Sequence, residues 1–251
     1  MIEITSRDNP KLKQIRKIRD GHDSGFIFVE GLRLSREALR SPVTIAVAVF
    51  ARSFGENSEF ESIAETIIVP DKIFGSIADT KNPQGVILIA ERPATDRKAF
   101  EERFDGGTSV LLHRVNNPSN LGAILRTCEA AGINNVIVTR DSADVFSPKA
   151  LRASMGSAFR LNIGERADFG LTVRWARKIG LRTTAADISG AVDYRQLETG
   201  KRLIVFGSEA NGLTEEELAE MDDVVVIPMR NGVESLNLAV SAGIILFALN
   251  A

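Results

Sequence analysis

The chain has 251 residues, of which 44% are hydrophobic, and a formal net charge of −2. This length allows one large domain or two small ones, and the single cysteine, Cys128, excludes a disulfide within the chain. Two histidines and one cysteine cannot assemble a typical zinc site. The N-terminus lacks the apolar core of a signal peptide, and the longest apolar stretch is too short to span a bilayer. We therefore predict a cytoplasmic protein with no metal and no membrane segment.

The first ninety residues alternate between helical and strand patterns, which predicts a small α/β domain over residues 1–91. Lys11–Arg19 has the spacing of a helix with an apolar inner face and a basic outer face. A further helix is predicted for the segment SEFESIAET, residues 58–66. Residues 92–107 are polar and end in Gly106-Gly107, so we predict a linker that contains a short helix, Arg97–Phe104.

The alternation of strand and helix patterns in residues 108–251 predicts a second α/β domain with a parallel sheet. Its predicted strands are Val110–Val115, Val136–Thr139, Arg182–Ala186, Leu203–Phe206 and Val224–Ile227, and a helix Leu236–Leu249 closes the chain. Between the first two strands, Asn117 is a good N-cap and Pro118 a good first residue of a helix. Leu121, Ile124, Leu125 and Cys128 fall on one helical stripe. Arg126 lies off that stripe, and a surface pair with Glu129 is its simplest interpretation.

Charge is unevenly distributed along the chain. Residues 140–182 carry nine Lys/Arg against four Asp/Glu, whereas residues 183–251 carry four against eleven. Such runs are usually solvated surface. An acidic protein can nevertheless present a basic face to phosphate, so the charge does not exclude a nucleic-acid partner.

The segment LIVFGSEANGL (203–213) is a buried strand followed by a loop bounded by Gly207 and Gly212. These glycines have the spacing of a phosphate-binding loop, but Leu213-Thr214 replaces the required Lys-Ser/Thr, which excludes a nucleoside triphosphatase. The glycines either form a strand-to-helix turn or let a ligand approach bare backbone. Near the C-terminus, Asn237 in a first helical turn indicates a specific hydrogen bond, because asparagine is a poor helix former.

Three stretches, NPSNLGAILRT, FGSEANGL and IPMRNGVESLNLAVSA, resemble in order and spacing the motifs of the SpoU/TrmH family. That family comprises S-adenosylmethionine-dependent RNA ribose 2′-O-methyltransferases. The segment FSPKALRASMGSAFRL (146–161) resembles the family's segment between its first two motifs. The stretches FIFVEGLRLSREAL and NPQGVILIAE resemble the small RNA-binding domain that many members carry in front. Asn117 stands where the family often has Asp, and either residue can cap a helix.

The resemblance implies a C-terminal α/β trefoil-knot methyltransferase domain, preceded by a small α/β RNA-binding domain, in an obligate homodimer with sites at the dimer interface. It implies a cofactor, S-adenosylmethionine, held largely by backbone at Leu203, Gly207, Ile227, Met229 and Leu236. The implied catalytic set is Asn120, Arg126, Glu209, Ser235 and Asn237. Ribosomal RNA is the expected substrate. Transfer RNA is the first alternative, and a non-catalytic relative that binds RNA or the ribosome is the second.

The chemistry of methyl transfer to a ribose hydroxyl explains this set of residue types. The enzyme must align oxygen, methyl carbon and sulfur, and the hydroxyl must lose its proton during attack. The family resemblance suggests Arg126 as the base. A guanidinium is always protonated, so a role in holding phosphate and stabilising the developing alkoxide is easier to defend. Glu209, Ser235 and Asn237 would then hold Arg126 and the loops in place.

Overall fold

The protein was analysed as a computed structural model, which describes residues 1–55, 58–198 and 200–249. Its strands are β1 (Ile2–Glu3), β2 (Phe26–Glu30), β3 (Ile45–Ala51), β4 (Thr66–Val69), β5 (Val86–Glu91), β6 (Ser109–Leu112), β7 (Asn135–Thr139), β8 (Asn162–Ala167), β9 (Arg182–Ala186), β10 (Val192–Asp193), β11 (Arg202–Phe206) and β12 (Asp223–Val226). Its α-helices are α1 (Pro10–Arg19), α2 (Leu32–Leu39), α3 (Asp71–Ile77), α4 (Arg97–Glu102), α5 (Pro118–Ala130), α6 (Pro148–Ser154), α7 (Phe169–Lys178), α8 (Glu215–Ala219) and α9 (Leu238–Ala248). The predicted α/β class is confirmed.

The chain forms two compact units. The first comprises residues 1–93 and 145–160, and the second comprises residues 94–144 and 161–251. The predicted division placed 145–160 with the methyltransferase domain, but in the structure this segment packs with the first unit. Ion pairs of 2.7 Å join Arg152 to Asp79 and Arg160 to Glu37. The division into an N-terminal domain (1–91), a linker (92–107) and a methyltransferase domain (108–251) stays a prediction.

The first unit has a mixed five-stranded sheet in the order β1-β4-β3-β5-β2. Helix α1 begins at Pro10, where the side chain of Asn9 accepts a hydrogen bond from the amide of Lys11 at 2.9 Å. Its buried residues are Leu12, Ile15 and Ile18, as predicted. These side chains and those of α3 share a core with one face of the sheet. Burial of such a face is the main source of stability for a short helix.

The helix predicted over residues 58–66 was wrong. The described part of this segment forms only a 3-10 turn, Ser58–Phe60, before β4 begins. Phe60 is buried, and its ring lies 5.4 Å from that of Phe50 and 6.2 Å from that of Phe54. Aromatic packing therefore decides the conformation here against the local helical pattern.

The second unit has a parallel seven-stranded sheet in the order β10-β12-β9-β11-β6-β7-β8. Strands β8 and β10 were not predicted. Strand β6 stops at Leu112 instead of Val115, because Arg114 has a positive φ of 56° that a strand cannot accommodate. The residues of β6, β7 and β11 are buried, as expected of a parallel sheet covered on both faces.

Helix α4, from the predicted linker, packs against β8 and belongs to the second unit. The carboxyl ends of β6, β9, β11 and β12 all lie at one edge of this sheet. Ligands of parallel α/β sheets bind at that edge, and the predicted motifs lie in the loops that follow these strands. Within the described ranges, every helix is too short or too polar to cross a membrane.

Candidate active site

The first motif forms the start of α5. Asn117 lies in the extended region, and its side chain accepts a hydrogen bond from the amide of Ser119 at 2.9 Å, so the predicted N-cap is confirmed. The predicted apolar stripe is buried, and Cys128 lies within it. Burial raises the pKa of the Cys128 thiol to about 12, so this side chain stays protonated at neutral pH and cannot act as a nucleophile.

Glu209 connects the second motif to the first. Its carboxylate accepts hydrogen bonds from the amides of Asn116 and Asn117, each at 3.2 Å, and from Nδ2 of Asn120 at 3.1 Å. A carboxylate that accepts several N–H groups is held firmly, because each bond is charge-assisted. Glu209 therefore fixes the loop after β11 to the residues just before α5.

Asn120 in turn connects to the third motif. Its Oδ1 accepts a hydrogen bond from Nδ2 of Asn237 at 3.1 Å. Oδ1 of Asn237 accepts from the amides of Ala239 and Val240, at 2.9 and 3.4 Å, and so caps α9. Helices α5 and α9 pack against each other. One hydrogen-bonded chain, Glu209–Asn120–Asn237, thus joins all three motifs.

A cavity of about 770 Å³ opens beside this chain, at the carboxyl edge of β9, β11 and β12. Of the predicted site residues, those that line it are Asn120, Gly207, Glu209, Ile227, Met229, Ser235, Leu236 and Asn237. The volume lies within the range of small-molecule sites. The structure therefore brings most of both predicted sets to one cavity.

The loop after β11 can form only with glycine at its start. A Cβ on Gly207 would lie 2.4 Å from the carbonyl carbon of Gly212, which is closer than real Cβ atoms approach backbone. Ser208 and Gly212 exchange two backbone hydrogen bonds, of 3.0 and 3.2 Å, and Gly212 has a φ of +61°. This loop lines the cavity, and its two glycines, Gly207 and Gly212, present backbone without a side chain there.

Leu203, which the resemblance implied near the cofactor, does not line the cavity. It is fully buried near the start of β11 and packs in the core of the second unit. The cavity lies at the carboxyl end of the same strand, where Phe206 and Gly207 line it. Leu203 therefore supports the sheet and does not contact the space in which a ligand would lie.

Arg126 is the second predicted residue that lies outside the cavity lining. It is exposed on α5, and its side chain has no hydrogen bond or ion pair with any described residue, so the simple surface pair with Glu129 does not form. Six residues separate it from Asn120, which places the two side chains about 120° apart around the helix. Within one chain, Arg126 therefore points away from the hydrogen-bonded chain that Asn120 completes.

Several residues that line the cavity were not predicted from the sequence. They include Asp187, Ser189 and Glu234. Asp187 directly follows β9, and its Oδ1 accepts hydrogen bonds from the amide and hydroxyl of Ser189, at 2.9 and 2.7 Å. A polar residue at the carboxyl end of a parallel strand is a signal that could have identified it. With Glu209, the cavity has three carboxylates and is suited to a cationic ligand.

A second polar cluster lies beside the first motif. His113 is buried, with Nε2 2.9 Å from Glu217 Oε1 and Nδ1 3.3 Å from Thr139 Oγ1. Arg114 donates to the other oxygen of Glu217 at 2.6 Å. Burial lowers the pKa of His113, and the hydrogen bond to Glu217 opposes that effect only in part. A neutral His113 with its proton on Nε2 satisfies both partners.

Two sequence models of known families match the chain. One, the SpoU rRNA Methylase family, covers residues 107–247, which is more than half of the chain. The chain belongs to the SpoU rRNA methylase family. The other match, at residues 9–88, is the MRM3-like substrate binding domain. Both matches confirm the family predicted from the three motifs.

Relatives match across nearly the whole chain. An AdoMet-bound rRNA methyltransferase from Sinorhizobium meliloti superposes with a TM-score of 0.86 and 32% identity over 99% of this chain and 97% of that one. The SpoU methyltransferase AviRb from Streptomyces viridochromogenes, in complex with AdoMet, superposes with a TM-score of 0.85 and 25% identity, over 96% of this chain and 97% of that one. The 23S rRNA (guanosine(2553)-2′-O)-methyltransferase RlmP of Bacillus subtilis is 26% identical over 99% of both chains. This member of the SpoU family is therefore a methyltransferase with the predicted cofactor, S-adenosylmethionine.

Proposed function

We propose that this SpoU family member transfers the methyl group of S-adenosylmethionine to a ribose 2′ oxygen of ribosomal RNA. The observation that carries the proposal is the Glu209–Asn120–Asn237 chain, which assembles three distant motifs beside one cavity. Relatives that match over almost the full length are named as rRNA methyltransferases. The matched tRNA (guanosine(18)-2′-O)-methyltransferase of Thermus thermophilus covers 63% of this chain, so transfer RNA is the second candidate.

The cavity fits the cofactor in its chemistry. S-adenosylmethionine supplies a methyl group that is already activated on a sulfonium, and it carries positive charge on the sulfonium and the amino group. Asp187, Glu209 and Glu234 provide carboxylates for such a ligand. Gly207, Ile227, Met229 and Leu236 would hold it through backbone and apolar contacts. Among the described residues, no group of three or more His, Cys, Asp or Glu is placed to hold a metal ion.

The chain's own residues must orient the ribose and stabilise its oxygen. Asn120 and Asn237 fix the position of the α5 and α9 N-termini beside the cavity. The guanidinium of Arg126 is a planar donor of several N–H groups, which suits it to phosphate and to a developing alkoxide. The protonated Cys128 thiol is buried, so nucleophilic attack on a base ring by this cysteine is not available.

The proposed active form is a homodimer in which Arg126 of one protomer serves the cavity of its partner. Arg126 is exposed and does not line its own chain's cavity. Helix α9, which packs against the helix that carries Arg126, leaves Val240 50% and Phe247 53% exposed. Seven residues separate these two side chains, so they share one face of α9. An apolar helix face beside an unpartnered arginine supports association of two copies there.

The proposal includes a trefoil knot in the second unit and a cytoplasmic location. The knot is supported by strand order, because β11 inserts between β9 and β6, which both precede it. It is also supported by Gly190, where a Cβ would lie 2.6 Å from the carbonyl carbon of Val225. The single buried Cys128 suits a reducing compartment. Stretching from both ends should leave a shortened contour length if the knot is present.

The test of the reaction is chemical. Protein-free ribosomal RNA is incubated with the enzyme and methyl-labelled cofactor and is then hydrolysed with alkali. Alkali cleaves RNA through attack by the free 2′ oxygen, so a 2′-O-methylated linkage survives as a labelled dinucleotide. Label in mononucleotides would instead show base methylation and would contradict the proposal. Transfer RNA is tested in parallel, and preferential labelling of it would favour the second candidate.

A further inference from the structure

Three exposed cations of the first unit, Arg33, Lys81 and Lys149, have no hydrogen bond or ion pair with any residue that the structure describes. They lie on three separate segments: the start of α2, the loop between α3 and β5, and α6. Free cations on a protein surface are usually scattered. These three are not, because their segments are tied together.

The loop between α3 and β5 is held on both sides. Oε1 of Gln84 accepts a hydrogen bond from the amide of Leu32, at the first turn of α2, at 2.9 Å. At the other end of the loop, Asp79 forms the 2.7 Å ion pair with Arg152 of α6. Lys149 lies three residues before Arg152 and so on the same side of α6. The start of α2, the loop and α6 therefore form one surface.

The acidic groups of this surface are already engaged. The buried carboxylate of Glu30 accepts hydrogen bonds from the amides of Asp79 and Thr80, at 2.6 and 3.3 Å. Asp79 is paired with Arg152, and Glu37 is paired with Arg160 at 2.7 Å. These carboxylates are therefore not paired with the three cations, whose positive charge stays available at the surface.

The cations of the basic helix α1, in contrast, mostly have partners within the protein. The ammonium of Lys11 pairs with Glu65. Nη2 of Arg16 donates to the carbonyl of Arg7 at 3.0 Å, and Arg19 pairs with Asp20 at 2.8 Å. Much of the charge on α1 therefore stabilises the first unit itself.

The two surfaces lie on opposite faces of the five-stranded sheet. Helices α1 and α3 share a core with Phe28 and Ile87. Side chains alternate along a strand, so the buried Ile27 and Leu88 face the other side, where α2 and α6 pack. The chain thus offers a matched pair of surfaces for comparison.

We propose that the surface formed by Arg33, Lys81 and Lys149, here called the α2/α6 face, docks the sugar-phosphate backbone of the substrate RNA. The inference rests on the proposed function, and it names the surface of the first unit that contacts the RNA. Phosphate is the partner, because the three cations are exposed, without a partner among the described residues and separate in sequence, as suits a backbone that is recognised by charge and not by base. Part of the face comes from the segment 145–160, which follows the first catalytic motif in the chain.

The experiment compares two triple variants of the full chain with the same change in charge. One is Arg33→Gln, Lys81→Gln and Lys149→Gln on the α2/α6 face. The control is Lys13→Gln, Lys17→Gln and Lys72→Gln, three exposed lysines of α1 and α3. Filter binding to protein-free ribosomal RNA is measured over a range of salt, together with methyl transfer and cofactor binding.

The face variant should lose affinity for RNA and flatten the slope of log K against log salt by about 2 units, that is, about 0.7 for each lost phosphate contact to single-stranded RNA. Cofactor affinity should be unchanged, and the control should keep most of its RNA affinity. An unchanged slope in the face variant, or an equal loss in the control, overturns the inference. A difference seen only on assembled ribosomal particles assigns the face to a protein and also overturns it.

Methyl transfer distinguishes this inference from the proposed function. If the wild-type chain binds RNA through the α2/α6 face but transfers no methyl group to RNA, the proposed function fails and the inference stands. If the wild-type chain methylates RNA and the face variant binds and methylates equally well, the inference alone fails.

Discussion

Asn120 and Asn237 are joined side chain to side chain at 3.1 Å, although 117 residues separate them in the chain. Each uses its two amide atoms for different partners. Asn120 donates to Glu209 and accepts from Asn237, whereas Asn237 donates to Asn120 and accepts from the first turn of α9. Asparagine is required at both positions because each side chain must be donor and acceptor at once.

Two substitutions of Asn237 should separate its structural role from its role in the site. Asn237→Asp keeps the oxygen that caps α9 but removes the N–H that Asn120 accepts, so stability should change little and methyl transfer should fall. Asn237→Ala removes both, and it should also lower the free energy of unfolding by about 1 kcal/mol. Urea unfolding and single-turnover rates measure the two effects. Full activity in Asn237→Asp would show that the Asn120–Asn237 bond is not needed.

Gly207→Ala should abolish the cofactor site. The added methyl would overlap the carbonyl of Gly212, at 2.4 Å from its carbon and 2.6 Å from its oxygen, so the loop must move. Calorimetry should show a loss of S-adenosylmethionine affinity of more than about tenfold, or about 1.4 kcal/mol. Gly75→Ala is the control, because it lies in α3 with no atom within 4 Å of a new Cβ. Normal cofactor binding by Gly207→Ala would contradict this account of the loop.

Arg126→Ala and Arg126→Lys should both lose most turnover but keep cofactor binding, because lysine lacks the planar fork of arginine. Stability should change by less than about 0.5 kcal/mol, since the side chain is exposed and unpaired. Arg174→Ala, on the exposed side of α7, is the matched control.

Mixed dimers test which protomer Arg126 serves. When Arg126→Ala and Asn237→Ala chains are co-expressed in equal amounts, a mixed dimer contains one cavity with an intact Asn237 and an intact Arg126 from its partner. Activity should recover to about a quarter of the wild-type value, because half of the dimers are mixed and one of their two sites is complete. No recovery would place Arg126 in the site of its own chain.

Phe247→Asp should dissociate the proposed dimer. The side chain is 53% exposed in the single chain, so its charge should leave the fold intact while the apolar face of α9 is broken. Leu171→Asp is the control, because Leu171 is 49% exposed and belongs to a different helix, α7. Sedimentation at micromolar concentration should show a monomer only for Phe247→Asp. A fully active monomer would contradict the shared site.

Acid should destabilise the second unit in two steps. In the folded chain the pKa of His113 is below its ordinary value of 6.5, so the unfolded chain takes up the proton first as the pH falls. The stability that is present above pH 6.5 is therefore lost as the pH falls below that value. Burial raises the pKa of Glu217, but hydrogen bonds from the amide of Thr214 and from His113 together bring it below 4.5. The free energy of unfolding should therefore fall a second time below pH 4.5.

Unfolding free energies measured by urea denaturation between about pH 3 and pH 8 should show both steps. His113→Gln should remove the first step and weaken the second, because His113 is one of the groups that lower the pKa of Glu217. If the first step persisted in His113→Gln, other groups would be responsible for it.

Local sequence was sufficient wherever a residue acts through its near neighbours. Asn117 and Pro118 start α5, Asn9 starts α1, and the apolar stripes of both helices are buried as predicted. These features depend on hydrogen bonds and spacing within a few residues. The loop bounded by Gly207 and Gly212 could be predicted for the same reason. The close approach of the Gly212 backbone to Gly207 could not.

The tertiary structure decided what depends on distant residues. It excluded Leu203 from the cavity, turned Arg126 away from Asn120 and added Asp187 and Glu234 to the lining. It also showed that the charges of α1 are largely engaged, whereas Arg33, Lys81 and Lys149 are free of protein partners among the described residues. The sequence by itself determined the family, the helix starts and the motif residues, because helix caps, hydrophobic spacing and motif order depend on residues that are close together in the chain. Which of these residues share a cavity or a surface depends on strand order and packing, and those bring together side chains more than a hundred residues apart.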